Sequence, residues 1–214
     1  MNTTHTISSM PVAESAISRI KAEHRALACI LGALRALVTR YREPDSKPDL
    51  ELFDSMLRYI ENVPDRLHHP REDQVLFPAL ALRTNSGKAL VQALECDHAQ
   101  GERMLGELRH AFQAFCDASA NALNGLATAV DEFAEFYWYH MRREENELLP
   151  LAEEYLTAED WQRVDSAFGN NTDPLFSATV TDEYRQLYRR ITELTPHPLK
   201  SLLESGVPGT ASST

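Results

Sequence analysis

Cysteine is scarce: the chain of 214 residues has three, Cys29, Cys96 and Cys116, and no two of them form a C-x-x-C pair. An odd number without paired spacing argues against a disulfide framework and suits a reducing compartment, so a cytoplasmic location is expected. Positive charge is also in short supply. Lys and Arg number 21 against 32 Asp and Glu, a formal net charge of -11, which argues against nucleic acid or an anionic membrane as partner. No apolar run approaches the ~18 residues of a membrane span. The opening MNTTHTISSMPVAES lacks the basic and apolar regions of a signal peptide. Glycine and proline are sparse, at 8 and 11, and cluster outside the periodic runs, the second helix excepted.

What is present is ordinary for a soluble globular domain: 43% hydrophobic and 25% charged residues. Apolar positions recur at helical spacing in four long stretches, about Glu14 to Tyr41, Pro48 to Ala81, Gly87 to Asp117 and Asn121 to Tyr155. Short loops join them, so the expected fold is all-α, an up-down-up-down four-helix bundle with a short C-terminal helical extension. The expected organisation is a disordered tail over 1–12, the bundle over 13–156, and a helical extension with a mobile tail over 157–214. In the extension, TAED reads as the cap of a short helix holding Trp161, Val164 and Phe168, and a last helix is expected over about Ala178 to Leu194. Pro64, Pro70 and Pro78 fall inside the second helix and predict a bend there.

The chemistry sits on the apolar stripes. His68 and Glu72 lie four residues apart among Phe53, Leu57, Ile60, Val75 and Leu76, and residues at i and i+4 share one helix face. The same step recurs with His98 and Glu102 in the third helix and with His140 and Glu144 in the fourth. His24 occupies a stripe position between Ile20 and Leu27 in the first. Any one such pair can be a coincidence of surface or core. Three of them plus His24, one element per helix, converge on a metal, because an imidazole and a carboxylate buried together need a partner that satisfies both. His69, about 100° round from His68, is expected beside the site or on the surface. Glu145 is the off-stripe alternative to Glu144. Tyr137 reads as a packed aromatic and Cys29 and Cys96 as small core residues, while His5, His110 and His197 fall outside the pattern.

Seven inward groups exceed the four of a structural zinc and match two octahedral ions with bridging carboxylates. Mixed imidazole and carboxylate suits iron, with manganese and zinc as competitors. Two ferrous ions bring +4 against -3 from the three carboxylates, and one bridging hydroxide closes the balance. Without metal, the three carboxylates would repel and at least some of them would take up protons.

His24, the run LHHPREDQVLFPAL, then CDHAQGERML and YHMRREENELLPLAEE resemble the hemerythrin-like, HHE cation-binding family over about Glu14 to Leu156. The order His-then-Glu separates the chain from ferritin-like proteins, which carry Glu-x-x-His. The resemblance implies a non-haem di-iron centre, oxo- or hydroxo-bridged, held by His24, His68, His98 and His140 with Glu72 and Glu144 as bridges. Oxygen-carrying members have a histidine where this chain has Glu102. That departure puts reversible oxygen carriage in doubt and raises the expectation of oxidation, peroxide, nitric oxide or iron chemistry. Two classes of function follow. One is a binding or sensing protein for oxygen, nitric oxide or iron; the other is an enzyme acting on peroxide or nitrogen oxides, with Glu102 or Tyr139 as proton donors.

Overall fold

Helical periodicity is realised throughout the residues that the structure, a computed structural model, describes: 10–169 and 182–194. Helix α1 spans Met10–Arg40, so residues 10–12 are helical, not part of the expected tail. Pro11 falls in its first turn, where a missing N–H costs no bond. Helix α2 (residues 50–83) follows, with Asp49 as its N-cap accepting from the Leu52 N–H at 3.1 Å. Helices α3 (Lys88–Cys116) and α4 (residues 122–155) complete the long set. Two shorter helices, α5 (Ala158–Gly169) and α6 (Asp182–Leu194), pack against them. Among the described residues there is no strand, and the fold is all-α. The start of the last helix expected at Ala178 and the expected terminal tail beyond Leu194 lie outside the described residues.

The expected bends at proline take the form of widened turns. Within α2, Glu61–His68 and Glu72–Leu76 are π-helical, and within α4 so is Glu144–Leu148. The wide turns close through bonds of five-residue span: His69 N–H to Pro64 O, Phe77 N–H to Glu72 O and Leu149 N–H to Glu144 O. Each π segment ends two residues before a proline, Pro70, Pro78 or Pro150. A proline ring collides with the carbonyl four residues earlier and offers no N–H to it. Here those carbonyls belong to Arg66, Gln74 and Asn146, all inside a wide turn. Widening removes the collision without breaking the helix, and it changes the direction of every side chain that follows.

Two apolar clusters fill the interior. The first holds Ile30, Leu34, Phe53, Leu57, Leu108 and Phe133 among others; the second holds Ile20, Phe77, Leu80, Leu94, Leu148 and Trp161. Along α1 and α3 the chain passes from the second cluster to the first, and along α2 and α4 from the first to the second. Every long helix therefore crosses the level between the clusters. The buried histidines and glutamates sit at that level on all four.

The short helices belong to the same body. Trp161, Val164 and Phe168 of α5 enter the second cluster, and Leu187 and Ile191 of α6 enter the first. The expected TAED cap is a reciprocal one: the Thr157 N–H donates to Asp160 Oδ2 at 3.0 Å, and the Asp160 N–H donates to Thr157 Oγ1 at 3.3 Å. Asp160 is buried and also accepts from Arg83 Nε at 2.7 Å. Burial alone would raise its pKa, but Arg83, Thr157 and Arg163 outweigh it and hold the carboxyl well below the usual range. A depressed folded pKa gives stability that is fully present above the unfolded value near ~3.9 and is lost as pH falls toward the folded one. Asp160→Asn is therefore expected to destabilise the fold by about 1–2 kcal/mol at pH 7, with the difference from wild type shrinking below pH ~4. Urea unfolding of both proteins across that range checks it.

Candidate metal centre

Each long helix delivers one or more polar side chains to the level between the clusters. His24 comes from α1; His68, His69 and Glu72 from α2; His98 from α3; His140 and Glu144 from α4. All seven are buried, and Glu72 and Glu144 have no exposed surface at all. They form two groups. One donor atom each from His24, His68, Glu72 and Glu144 lie within 4.8 Å of one another, and so do ring nitrogens of His69, His98 and His140.

The two carboxylates join the groups. Glu72 places Oε1 3.5 Å from His68 Nε2 and Oε2 3.5 Å from His98 Nε2. Glu144 places Oε1 3.1 Å from His140 Nε2 and Oε2 3.2 Å from His24 Nε2. Each glutamate thus turns one oxygen to each group. His24 Nε2 and His68 Nε2 face each other at 3.1 Å, so a proton or a cation must separate their lone pairs.

The outward face of each ring meets a carboxylate. His24 Nδ1 lies 2.9 Å from Glu145 Oε1, His68 Nδ1 2.6 Å from Glu23 Oε2, and His98 Nδ1 2.9 Å from Asp73 Oδ1. Looser contacts of 3.5 Å join His69 Nδ1 to Asp65 and His140 Nδ1 to Asp97. In the three close pairs an ionised carboxylate only accepts, so it holds the proton on Nδ1 and leaves the Nε2 lone pair facing inward, which is how metal-binding histidines are oriented; burial pushes Asp65 up to about 7. Arg143 neutralises Asp97 at 2.8 Å, and Arg71 lies 3.5 Å from Glu23.

Electrostatics follow from this packing. Burial lowers the pKa of every imidazole here, but the carboxylates outweigh it for four of the five. Asp73, Glu144 and Glu72 push His98 up to about 10, and Glu144 and Asp97 push His140 up to about 9. His24 is raised by Glu144 and Glu145, and His68 well above the usual value by Glu72 and Glu23. His69 goes the other way: burial and the neighbouring His98, His68 and His140 hold it well below the ordinary range. Burial would raise Glu144, yet the imidazoles of His140, His24 and His98 keep it strongly ionised. Glu144 is thus not among the carboxylates that take up protons without metal, since the histidines around it take them instead.

Six of the seven residues singled out in the sequence converge here; Glu102 does not. Its side chain is exposed, and the buried face of α3 runs through Val91, Leu94, His98, Gly101, Leu105 and Leu108. That face alternates steps of three and four, whereas successive steps of four drift ~40° each and carry Glu102 off it. His69, placed outside the site by ideal helix geometry, is inside it. The widened turn ending at His68 rotates it inward. Tyr139 is 60% exposed and Cys96 is on the surface, so neither holds its expected place, while Cys29 is buried. Of the five outward carboxylates the sequence pattern singles out Glu145 alone, and only as the alternative to Glu144, although Glu23, Asp73, Asp97 and Glu145 each adjoin a site residue in the chain.

Both oxygens of Glu72 and of Glu144, together with His98 Nε2 and both ring nitrogens of His140, are buried without an aligned hydrogen-bond partner, and all but His140 Nδ1 face inward. Six such atoms aimed at one another in a dry interior would be costly, and cations between them satisfy all six. The donor set therefore fits metal. The family model described as hemerythrin HHE cation binding domain matches residues 15–152. A comparison with curated proteins finds no match.

Two outcomes are expected. His69→Ala lowers bound metal per chain and Glu102→Gln does not, as elemental analysis of both variants would read; equal retention by His69→Ala would remove His69 from the set. Because imidazoles must lose their protons to bind metal, loading at pH 7 releases protons, and apparent affinity rises with pH toward the raised values of His140 and His98. Calorimetry in two buffers of different ionisation enthalpy measures the release.

Proposed function

The chain belongs to the hemerythrin HHE cation-binding family, and from that premise we propose that it holds two iron ions and uses them to bind a small diatomic molecule, oxygen or nitric oxide. His69, His98 and His140 would hold one ion and His24 and His68 the other, with Glu72 and Glu144 shared between them. The observation that carries this reading is the sharing itself: each buried glutamate presents one oxygen to each histidine group. Imidazole nitrogen with a minority of carboxylate oxygen suits iron over calcium or magnesium, and manganese and zinc remain competitors.

The space beside the site supports this choice of ligand. A cavity of about 10 Å³, room for one water-sized molecule, borders His24, His68, His69 and His140. Leu27, Val63, Pro64 and Met141 give it apolar lining, and Glu23 and Glu144 also border it. Its small volume favours a small molecule over a larger organic substrate, and the four apolar side chains and the two carboxylates favour a neutral one over an anion. Held there, iron would supply redox chemistry and open coordination positions to such a ligand. The chain's own residues do the rest: the two clusters exclude water, the outer carboxylates face the rings, and Tyr59 helps to line the cavity.

With Glu102 on the surface, the argument against oxygen carriage loses its basis. Five neutral imidazoles and two carboxylates set -2 against +4 from two ferrous ions, one unit more positive than the set containing Glu102. A more positive site favours the ferrous state. The proton donors expected for an enzyme, Glu102 and Tyr139, are both exposed, and binding is therefore preferred to turnover.

Anaerobic loading followed by elemental analysis should find about two irons per chain. Stopped-flow mixing of the reduced protein with oxygen or nitric oxide should give a persistent spectral change without consumption beyond stoichiometry. A single ion per chain would remove the paired site, and multiple turnovers of peroxide would favour an enzyme instead.

A further inference from the structure

The least expected residue of the site, His69, is held by a device that its role as a ligand does not require to exist. Its ring lies between two others. His98 stacks on it at 4.2 Å with planes 18° apart, and Tyr137 is nearly parallel at 5.9 Å and 11°. The Tyr137 hydroxyl donates to Asp65 Oδ1 at 3.3 Å, and that same oxygen lies 3.5 Å from His69 Nδ1. Tyr137 is buried in α4 one turn before His140, so its ring is fixed by the helix that also supplies a site histidine.

The hydroxyl reaches Asp65 because α3 leaves room for it. Gly101 is buried on the inner face of α3, and a Cβ there would overlap the Tyr137 hydroxyl and stand 2.8 Å from its Cζ. Neither atom is the loose end of a flexible chain, since Tyr137 is 1% exposed and packs against Phe133 and Phe136. Any larger residue at 101 would force the ring away from Asp65. Asp65 also borders a surface cavity of about 310 Å³ with Glu61, Arg66, Glu102 and Arg109. Untethered, its carboxylate would swing toward those arginines and water.

We propose that Tyr137, given its place by Gly101, is a positioning residue that keeps Asp65 turned inward so that His69 is fixed with Nε2 toward the metal. The inference rests on the paired-iron reading and adds to it the means by which the fifth histidine is recruited. It also gives one of the two glycines inside α3, Gly101, a reason. A glycine in a helix interior destabilises it relative to alanine, and here the Tyr137 hydroxyl takes the space that a methyl would fill.

The test uses Tyr137→Phe, which keeps the ring and removes the one hydrogen bond. Metal-free Tyr137→Phe should melt close to wild type. Once loaded with ferrous iron, it should lose one of two ions to a chelator roughly 10-fold more readily, in line with other losses of outer partners of metal-bound histidine. In the zinc-substituted protein, the His69 Nδ1–H resonance should exchange with solvent faster than in wild type, a change that a purely packing role would not produce. Gly101→Ala should give the same lability, and Gly101→Ala with Tyr137→Phe less than the sum of the two, because both act on one hydroxyl. Should Gly101→Ala not fold, Tyr137→Phe alone decides. Wild-type chelator resistance and wild-type His69 exchange in Tyr137→Phe overturn this inference while leaving the paired site intact. A wild-type chain that holds one iron or none overturns the paired site itself.

Discussion

Two carboxylates without exposed surface, Glu72 and Glu144, stand between two apolar clusters, and the arrangement of the four long helices answers to them. An unpaired charge in such an interior is far more costly than any single contact around it can offset. The compensation must come from several helices at once. Imidazoles from α1, α2, α3 and α4 supply it, and in the absence of metal they do so by holding protons. Metal ions in the same place replace those protons. The charge balance that stabilises the fold is thus the same one that creates affinity for cations.

The prolines give this arrangement its local geometry. In α2 and α4 a wide turn begins at the buried glutamate and ends two residues before Pro78 or Pro150. Both glutamates are therefore the first residue of a π turn, with a proline six positions on. This repeated unit lets one helix present a histidine and a glutamate at the same level, then return to α-helical winding inside the second cluster. The further wide turn before Pro70 is found only in α2 among the described residues, and α2 alone brings two adjacent histidines inward.

The extension beyond the bundle reaches the site as well. Phe168 of α5 meets the His68 ring edge-on at 5.7 Å, and the Arg71 guanidinium lies 5.8 Å above the same phenyl ring. Arg71 in turn faces Glu23, the outer partner of His68. The second cluster, the cap at Thr157 and this contact make α5 a wall of the centre. Among the described residues no helix is long and apolar enough to cross a membrane.

Much of this was legible from the chain alone. Helix number and type, the buried stripes and six of the seven inward residues follow from periodicity, because a group at i and one at i+4 share a face in any α-helix. The choice of Glu144 over Glu145 followed from the same rule, and the structure gives Glu145 to His24 Nδ1. The exchange of Glu102 for His69 could not be read that way. His69 depends on a turn of five-residue span before Pro70, and a winding change of that kind leaves no mark on hydrophobic periodicity. Glu102 shows the limit of the same rule, since the buried face of α3 advances by alternate steps of three and four and a second step of four from His98 overruns it. Residue types and their spacing determined that a metal site exists and which helices build it. Local winding and the contact between α3 and α4, set only when the helices pack, decided which histidine completes it.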